Sequence, residues 1–429
     1  MGKHADLLAR HRRVLPSWMV LYYDEPIALV DGKGRHVIDA EGNEYLDFFA
    51  GILTTMTGYN VPEVVAAIKA QADKMLHTST LYLIENQIEL AEKIADLSGI
   101  PDAKVFFTNS GTEANDAALM LATQHRKSNQ VLAIRGSYHG KSHSTVAITG
   151  QKNWSATSLY PFNVAYVHGG YRYRSPFGHL SDTDFTAACV ADLENMLEVA
   201  TAGDVACMIA EPIQGVGGFV TPPDGFFGAM KEVLDRHGIL FISDEVQTGW
   251  GRTGEHFWGY QSHGITPDIL TFAKGLGNGL AMAGVVARGD LMDSLPANSI
   301  STFGGNPLST AGALANLRYV IDHDLQTNAY KVGNHLRNRI DGLAERSDLI
   351  GEVRGKGLMM GVELVKPGGK EPNAAAAAAV MEQARKEGLL IGKGGLYGNV
   401  LRIAPALTLT EDEADAGYAM LEAAIARSE

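Results

Sequence analysis

The sequence predicts an α/β fold with a large, mostly parallel central sheet, helices on both faces of that sheet, and a small α+β domain formed by both termini. Two patterns support this prediction. From about residue 62 onward, helical periods alternate with short apolar runs, and strands separated by helices join as right-handed crossovers of a parallel sheet. Beyond about residue 325 the pattern changes to longer helices. We therefore expect three parts, spanning residues 1–61, 62–325 and 326–429.

The first part contains a predicted antiparallel meander. Residues 27–50 alternate between apolar and polar side chains around turn signals at Asp31-Gly32 and Glu41-Gly42, a pattern typical of short strands joined by hairpins. We expect this meander to pack beside the C-terminal part, so that the two together form the small domain.

The middle part carries the strands of the predicted central sheet. Each strand is a short apolar run, and helical periods separate one run from the next. The predicted strands are Lys104 to Thr108, Val131 to Ile134, Val205 to Ala210, Ile239 to Ser243 and Ile269 to Ala273. Because ligands of such sheets bind beyond the carboxyl ends of the strands, we expect the functional residues directly after these runs.

The C-terminal part contains an alanine-rich segment that we interpret as a helix rather than as low complexity. Asn373 suits the N-cap position, because its side chain can accept a hydrogen bond from a free backbone N–H group. The helix then spans residues 374–387, and Gly388 ends it as a residue that tolerates the left-handed conformation.

Composition and charge narrow the classes of function. The net charge of −13 argues against a nucleic-acid binder, since such proteins place clustered Lys and Arg against phosphates. Cys189 and Cys207 lie in apolar surroundings without a CxxC spacing, which indicates buried thiols rather than disulfides or a zinc site. The basic N-terminus lacks a following secretory apolar run, and no stretch approaches the roughly 20 apolar residues of a membrane span. We expect a cytoplasmic protein that acts on small molecules.

A turn of small residues follows the first predicted strand of the middle part. Residues 109–115, with the sequence NSGTEAN, open a helix. Free backbone N–H groups and the helix dipole favour a phosphate at this position, and the hydroxyls of Ser110 and Thr112 add further donors. The alternative is that Ser110 or Thr112 only caps the helix.

The loop after the second strand resembles a Walker A loop but does not match it. Walker A requires four residues between its glycines, whereas Gly136 and Gly140 enclose three. His139 and His143 stand four apart, but the HGKSH segment lacks the glutamate of an HExxH zinc site and contains a glycine that disfavours a helix. No metal is therefore expected here. Tyr138, at the strand end, could instead lie flat on a heteroaromatic ring.

Two charged residues follow the last two predicted strands. Asp244 needs a cationic partner, because an unpaired buried charge is costly, although a Walker B carboxylate that binds Mg²⁺ has the same context. Lys274 enters a glycine-rich turn, where desolvation lowers the pKa of a lysine and frees its amine for Schiff-base chemistry. A lysine that only snorkels from a strand end is the alternative. Gly275 and Gly277 do not start a dinucleotide fingerprint, because the third glycine position is Leu280.

Seven motifs resemble, in their order and spacing, those of the class III aminotransferases. They are SGTEAN at 110–115, YHG at 138–140, EPIQG at 211–215, DEVQTGWGRTG at 244–254, AKGLGNG at 273–279, TFGGNP at 302–307 and LRIAPAL at 401–407. The match runs from roughly residue 25 to the C-terminus. The resemblance implies an enzyme of fold type I whose cofactor is pyridoxal 5'-phosphate (PLP).

The resemblance also implies a role for each matched residue around the cofactor. Lys274 would bind PLP as a Schiff base. Asp244 would pair with the pyridine nitrogen, whose protonation makes the ring an electron sink. The other implied contacts are Ser110, Gly111 and Thr112 to the phosphate, Tyr138 stacked on the ring, His139 beside it, and Gln247 at the ring hydroxyl.

Substrate and subunit contacts are implied in the same way. Thr302 would reach the phosphate of the neighbouring subunit, which implies a homodimer with shared active sites, and dimers could pair into a tetramer. Arg402 resembles the arginine that binds a substrate carboxylate with a bidentate fork. Glu211 matches a glutamate that pairs with this arginine when the substrate lacks an α-carboxylate; the alternative is an ion-pair partner that never switches. Trp18 and Tyr22 are expected to help line the substrate pocket.

Two further segments have sequences that predict their surroundings. Gly58 to Pro62 departs from the family's GHxHP motif, and we expect it to line the substrate pocket together with residues 52–56, so that the substrate is not carried over with the fold. The run Tyr171 to Arg174, with the sequence YRYR, is predicted to be a solvated loop of an acidic protein rather than a platform for RNA bases.

The predicted activity is ping-pong transamination from an amino acid or ω-amine donor to a keto acid such as pyruvate or glyoxylate. A PLP-dependent phospho-lyase that acts on an amino-alkyl phosphate is the nearest alternative, because it would use the same carbanion to expel phosphate. A P-loop-like NTPase built on residues 136–142 and Asp244 is a more distant alternative. The expected partners are small molecules and a second copy of this chain, with neither nucleic acid nor membrane.

Overall fold

The computed structural model describes residues 3–429, so the first two residues of the predicted N-terminal part lie outside the described residues. The strands are β1 Leu29–Lys33, β2 His36–Asp39, β3 Glu44–Asp47, β4 Ala103–Thr108, β5 Gln130–Ile134, β6 Asn163–Val167, β7 Cys207–Ala210, β8 Leu240–Asp244, β9 Ile269–Phe272, β10 Ala283–Arg288, β11 Ile350–Lys356, β12 Met359–Leu364, β13 Leu389–Leu390, β14 Gly392–Gly394 and β15 Val400–Ile403. The helices are α1 Lys3–Val14, α2 Ala50–Leu53, α3 Pro62–Ala72, α4 Glu85–Leu97, α5 Gly111–Arg126, α6 His143–Ala147, α7 Asp182–Val199, α8 Phe226–Arg236, α9 Gly289–Met292, α10 Pro307–Asp322, α11 Leu325–Ala344, α12 Ala374–Lys386 and α13 Glu411–Ala426.

A seven-stranded sheet forms the centre of the molecule, in the order β4-β10-β9-β8-β7-β5-β6. The last five strands of this order pair in parallel, whereas β10 runs antiparallel to both β4 and β9. The prediction of an α/β fold with a mostly parallel sheet is confirmed, and all five predicted strands are present.

The sequence patterns do not predict β6 and β10. β6 is an edge strand with mostly half-exposed side chains, although Val164 to Val167 form a short apolar run. β10 follows β9 after only the residues 273–282. A parallel crossover needs a connection of roughly a dozen or more residues, and this short connection therefore returns the chain antiparallel.

Helices cover both faces of the central sheet, as predicted. Along β5, Val131 and Ala133 pack in one apolar cluster with α5, whereas Leu132 and Ile134 pack on the opposite face with α7 and α8. This alternation follows from the two-residue period of a strand. Cys189 and Cys207 are both free and buried, one in each cluster, and burial raises the pKa of each thiol to about 12. The prediction of buried thiols is confirmed.

Two smaller sheets flank the centre. β1, β2 and β3 form the predicted antiparallel meander, and β13 adds to it in parallel through Leu389 opposite Leu46. Segments near both termini therefore share one sheet. β11, β12, β15 and β14 form a second, antiparallel sheet, called here the C-terminal sheet. The three-part division at residues 61 and 325 stays a prediction.

The alanine-rich segment forms α12, as predicted. The Asn373 side chain accepts a hydrogen bond of 3.0 Å from Ala376 N, and Gly388 follows the helix with a φ of 89°. No helix within residues 3–429 combines the length and the apolar character needed to cross a membrane.

The prediction of a solvated loop at residues 171–174 is wrong. All four residues are half-buried, and Arg172–Arg174 form one turn of 3-10 helix. The Tyr171 hydroxyl donates a hydrogen bond to the carboxylate of Glu363, and Arg174 Nε donates to Oε1 of the same carboxylate at 2.5 Å. Glu363 is fully buried in β12, so this turn is fixed to the C-terminal sheet by a buried carboxylate.

Candidate active site

The carboxyl ends of β4, β5, β7, β8 and β9 converge on a cavity of about 400 Å³, called here the central cavity. This is the position at which sheets of this kind bind ligands. The predicted residues that line it are Ser110, Gly111, Thr112, Tyr138, His139, Glu211, Asp244, Gln247 and Lys274. The chain therefore brings together residues that are more than 160 positions apart, as the strand-end pattern predicts.

Lys274 lies on the wall of the central cavity, at the start of the turn that follows β9. Its φ of 45° places it in the left-handed region, which is uncommon for a residue other than glycine. Burial lowers the pKa of Lys274 to about 8, and the charge of Arg402 lowers it further, whereas Asp244 and Glu211 oppose the shift. A substantial fraction of such an amine is unprotonated near neutral pH and can act as a nucleophile.

Asp244, at the end of β8, is held by partners on two sides. Its Oδ2 accepts hydrogen bonds from Asn115 Nδ2 at 2.8 Å and from His139 Nδ1 at 2.7 Å, and its Oδ1 accepts one from Val246 N at 3.1 Å. Asn115 Oδ1 in turn accepts a hydrogen bond of 2.7 Å from the Thr271 hydroxyl. A histidine ring is thus one of the partners that hold the Asp244 carboxylate. The His139 Nε2 is buried and has no partner within residues 3–429.

Sequence reasoning missed Asn115 and Thr271 as residues of this site. Both are fully buried polar residues whose side chains serve only to hold another side chain or its neighbours. A signal for Asn115 exists in the sequence, because it lies four residues after Gly111 and hence on the same face of α5. Thr271 has no such signal within the apolar run of β9.

The turn before α5 lines the central cavity with Ser110, Gly111 and Thr112. The Ser110 side chain accepts a hydrogen bond of 3.3 Å from Glu113 N, so Ser110 does cap the helix. The first amides of α5 have no carbonyl partner within the helix and remain available to an anion. A Cβ on Gly140 would lie 2.6 Å from the Thr112 hydroxyl, so the loop after β5 packs directly on this turn.

Glu211 follows β7 and is bound by two backbone amides. Its Oε1 accepts a hydrogen bond of 2.9 Å from Tyr138 N, and its Oε2 accepts one of 2.7 Å from Gly215 N. Burial raises the pKa of Glu211 to about 7, although the charge of His139 opposes the shift. Within residues 3–429 no oxygen of Glu211 forms an ion pair with Arg402.

Arg402 lies behind the central cavity rather than on its wall. Its guanidinium packs between the rings of Phe49 and Phe219, at 5.0 and 4.6 Å from their centroids. Its Nη2 donates a hydrogen bond of 2.8 Å to Gln247 Oε1, and its Nε is buried without a partner in the described chain. Burial lowers the pKa of Arg402 to about 10. A Cβ on Gly215 would lie 2.1 Å from Gln247 Nε2, so only glycine leaves room for this arrangement.

Three predicted substrate and subunit residues lie outside the central cavity. Tyr22 stacks on Phe49 with ring centroids 6.2 Å apart, and therefore stands near Arg402. Trp18 is 75% exposed. Thr302 is exposed on a loop beside a surface groove that is lined by parts of residues 104–121 and 292–303. Trp154, which sequence reasoning missed, packs edge-on against Tyr138 at 5.3 Å.

Residues 52–56, which we expect to help line the substrate pocket, lie partly at the central cavity and partly in the core. Residues 50–53 all have φ values between 46° and 66°, which gives a left-handed turn that costs about 1 kcal/mol for each residue other than glycine. This turn presents Thr54 to the central cavity, whereas Met56 is buried in the core. None of residues 58–62 lines the central cavity, and the Tyr59 hydroxyl donates to Asp47 Oδ2 at 2.6 Å, so the contribution of these residues to the substrate pocket stays a prediction.

A family model described as aminotransferase class-III matches residues 22–425. The chain belongs to this family. The mitochondrial alanine–glyoxylate aminotransferase 2 homolog 2 of Arabidopsis thaliana is 41% identical over 424 residues, covering 96% of this chain and 86% of the relative. The leucine/methionine racemase of Thermococcus litoralis is 38% identical over 427 residues, covering 98% of this chain and 95% of the relative.

Solved structures give the same result for the fold. An amine transaminase from an uncultivated Pseudomonas species, in its PLP-bound form, has a TM-score of 0.91 at 31% identity, covering 97% of this chain and 98% of that chain. A phospholyase from Arthrobacter in complex with phosphoethanolamine has a TM-score of 0.89 at 32% identity, covering 98% and 99%. This class III enzyme is therefore a PLP-dependent aminotransferase of fold type I that moves an amino group from a donor to a keto acid. The NTPase alternative is wrong.

Proposed function

We propose that this aminotransferase takes its amino group from an amino acid or an ω-amine and delivers it to a small keto acid, pyruvate or glyoxylate. The position of Arg402 is the observation that supports a keto acid as the amino-group acceptor. This residue has a buried guanidinium near Lys274 with an unpartnered Nε, and such a fork suits a carboxylate. The central cavity of about 400 Å³ must hold the cofactor as well as the substrate, which favours a substrate with a small side chain.

The residues on the cavity wall fit PLP in charge and shape. Lys274 supplies the amine that binds the cofactor aldehyde, and Asp244, fixed by Asn115 and His139, supplies the carboxylate for the ring nitrogen. Residues 110–112 supply amides and hydroxyls for the phosphate, and Tyr138 supplies a ring face. When bound, PLP supplies an electron sink for the electrons left by a departing Cα proton.

Lys274 is also proposed to move that proton. A side chain transfers protons in both directions most efficiently when its pKa lies near the working pH, and the pKa of about 8 meets this requirement. The burial that lowers this pKa therefore serves two tasks, because it makes the amine both a nucleophile and a base.

Gln247 is proposed to connect the two halves of the site. Its Oε1 accepts a hydrogen bond from Arg402, which leaves its Nε2 to donate to the ring hydroxyl of the cofactor. The Gln247 amide thus holds the Arg402 guanidinium at a fixed position relative to the PLP ring. Glu211 is proposed to hold the loop around Tyr138 and Gly215 instead of pairing with Arg402, since both of its oxygens accept backbone N–H groups.

A homodimer is part of the proposal. The loop of Thr302 exposes Ile300 and Phe303, and residues 81–83 expose Leu81, Tyr82 and Leu83, with exposed fractions from 59% to 93%. A monomer rarely leaves so many large apolar side chains in water. A second copy that covers this surface could bring its Thr302 to the phosphate. Pairing of dimers into a tetramer, the contribution of Trp18 to the substrate pocket and a cytoplasmic location are proposed on the sequence alone.

The test of the reaction type is a half-reaction experiment. The PLP enzyme is mixed with a panel of α-, β- and ω-amino acids and phosphorylated amines, first without and then with pyruvate or glyoxylate. A transaminase stalls after one turnover without the keto acid and resumes when it is added. Repeated turnover without keto acid, with release of inorganic phosphate or with racemisation of the donor, would contradict the proposal in favour of the activities named for the Arthrobacter and Thermococcus proteins.

A further inference from the structure

A second cavity, of about 290 Å³, lies beside the loops that follow β5 and β6 and is called here the accessory cavity. Its other walls are the YRYR turn and the loop of Leu396 and Tyr397, which joins β14 to β15. It shares no lining residue with the central cavity. The accessory cavity thus lies between the central sheet and the C-terminal sheet, and the proposed reaction makes no use of it.

Gln151 is the first sign that the accessory cavity binds a ligand. The residue is only 1% exposed and is one of those that line the cavity. Neither Nε2 nor Oε1 of its amide has a hydrogen-bond partner within residues 3–429. Because both atoms are free, this finding does not depend on which way round the amide is assigned. Buried polar groups without partners are rare and costly, so this donor and acceptor pair needs a partner.

Two arginines add positive charge to the same walls. Arg174 donates from Nε to Glu363 and from Nη1 to Lys370 O at 2.8 Å, whereas its Nη2 is buried without a partner in the described chain. Arg135 is exposed at the rim of the cavity, and its hydrogen bonds go to Tyr166 O and His168 Nε2 rather than to a carboxylate among residues 3–429.

The buried arginine of this cavity is paired, whereas Arg135 is not. Glu363 binds Arg174 and Arg354, and Glu352 binds Arg354 as well, so these two arginines face two carboxylates. Burial and the charge of Arg135 lower the pKa of His168, whereas the charge of Asp192 opposes this shift. Arg135 itself forms no ion pair with a carboxylate among residues 3–429 and is the cation at the rim of the cavity.

We propose that the accessory cavity binds a small organic carboxylate that also carries a carboxamide. The carboxylate meets the free donors of Arg135 and Arg174, and the carboxamide meets the donor and acceptor of Gln151. The carbon chain between them contacts the apolar part of the walls, which consists of Tyr171, Pro176, Val220, Leu396 and Tyr397. A volume of about 290 Å³ suits a compact ligand of this kind.

Binding at this cavity would connect to the active site through short contacts. Gln214, in the cavity wall, donates a hydrogen bond of 3.0 Å to Arg135 O, and the next residue, Gly215, holds Glu211 through its N–H group. On the other side, Leu396 accepts a hydrogen bond of 2.8 Å from Asn153, and its loop leads into the strand of Arg402. A ligand would therefore fix the loop that follows Glu211 and the loop that leads into the strand of Arg402.

The experiment measures binding directly, so its result does not depend on the proposed transamination. Succinamate is titrated into the PLP enzyme by isothermal titration calorimetry, because it carries a carboxylate and a carboxamide but no amino or keto group. We expect Gln151→Met and Arg135→Gln each to weaken binding by about tenfold or more, since each removes hydrogen bonds to the ligand. Arg126→Gln, which changes another exposed arginine, is the matched control and should leave the affinity unchanged.

Two results would overturn the proposal. The first is no binding of succinamate up to its solubility limit. The second is equal affinity in the unchanged enzyme and in Arg135→Gln, which would place the binding elsewhere, for example at Arg402. Since Arg135 is exposed, its replacement should not affect folding, and this arm remains decisive even if Gln151→Met is unstable. A crystal of the PLP enzyme soaked in succinamate should show the ligand against Gln151.

Discussion

The cofactor side and the substrate side of the active site are built in different ways. The cofactor side consists of Lys274 and Asp244, which follow or end strands of one sheet, and of the residues that hold them on that sheet and on α5. The substrate side draws on segments near both termini, with Tyr22 and Arg402 approaching Phe49, and on surfaces that are still exposed, such as Trp18 at 75%.

The fold of one chain determines the positions of the cofactor-binding residues, whereas the positions of the substrate-binding residues also depend on assembly. A parallel sheet fixes the relative positions of its strand ends, so the cofactor chemistry follows from the fold. The substrate side depends on long-range packing and, in our proposal, on a second copy of the chain. Substitutions on the cofactor side should therefore affect the rate of chemistry, and those on the substrate side should affect affinity.

Replacement of Lys274 by alanine should have the largest effect. We expect a loss of about 10⁴-fold in the rate of transamination, because the same amine binds the cofactor and moves the proton. Steady-state assays on PLP-saturated enzyme measure this loss. A rate within about tenfold of the unchanged enzyme would show that another group does the chemistry. A thermal melt of the variant serves as the control for folding.

Two neighbouring carboxylates should differ in their effect on activity. Asp244→Asn should lower kcat by about 10²- to 10³-fold, because the ring nitrogen loses its anion, and should also lower Tm, because an amide nitrogen cannot accept the N–H groups that both carboxylate oxygens accept. Glu245 instead accepts backbone hydrogen bonds from Gly259 and Tyr260 at 2.9 and 2.8 Å. Glu245→Gln should therefore lower the free energy of unfolding by about 2 kcal/mol and leave the activity of the folded enzyme intact. Equal effects of the two changes on kcat would contradict this division.

Arg402→Lys should separate the two sides of the site. Because lysine lacks the bidentate fork, we expect the KM for the keto acid to rise by about 10- to 100-fold with a smaller change in kcat. An amine donor without a carboxylate is the control substrate, and its KM should not change. An unchanged KM for the keto acid would place its carboxylate elsewhere.

The pH dependence of cofactor capture should report the pKa of Lys274. Only the unprotonated amine attacks the PLP aldehyde, so the rate of capture by enzyme freed of PLP should rise by about tenfold per pH unit below pH 8. Above the pKa of about 8 the rate should level off. Stopped-flow absorbance measures this rate. A rate that still rises steadily to pH 10 would indicate an ordinary lysine.

Thr302→Ala should have the smallest effect of this set. If a second copy brings this hydroxyl to the phosphate, the loss of one hydrogen bond should raise the Kd for PLP by about fivefold. Thr183→Ala, on an exposed position of α7, is the matched control. Light scattering should show a homodimer for both variants. No change in Kd would remove Thr302 from the site.

The sequence was sufficient to predict five strands of the central sheet and the functional residues that follow them. Asp244 and Lys274 were predicted because a charge after a buried strand has few alternative explanations. β10 was not predicted as a strand. Its antiparallel direction depends on the length of the preceding connection rather than on its own sequence pattern.

Other features depend on contacts between distant segments. The pairing of Tyr171 with Glu363 joins residues 192 positions apart, and the left-handed turn at residues 50–53 is maintained by packing around it. The hydrogen bond from Thr271 to Asn115 joins two polar residues that local patterns treat as unremarkable parts of a strand and a helix. Periodicity carries no information about such partners.

The most direct test of the cofactor side is to identify the residue that is covalently linked to PLP. The enzyme is treated with borohydride, digested, and its peptides are analysed by mass spectrometry. We predict that the pyridoxyl group is found on Lys274 alone and that the absorbance of the bound cofactor changes on reduction. A modification on a different lysine, or unchanged absorbance with no modified peptide, would contradict the role assigned to Lys274.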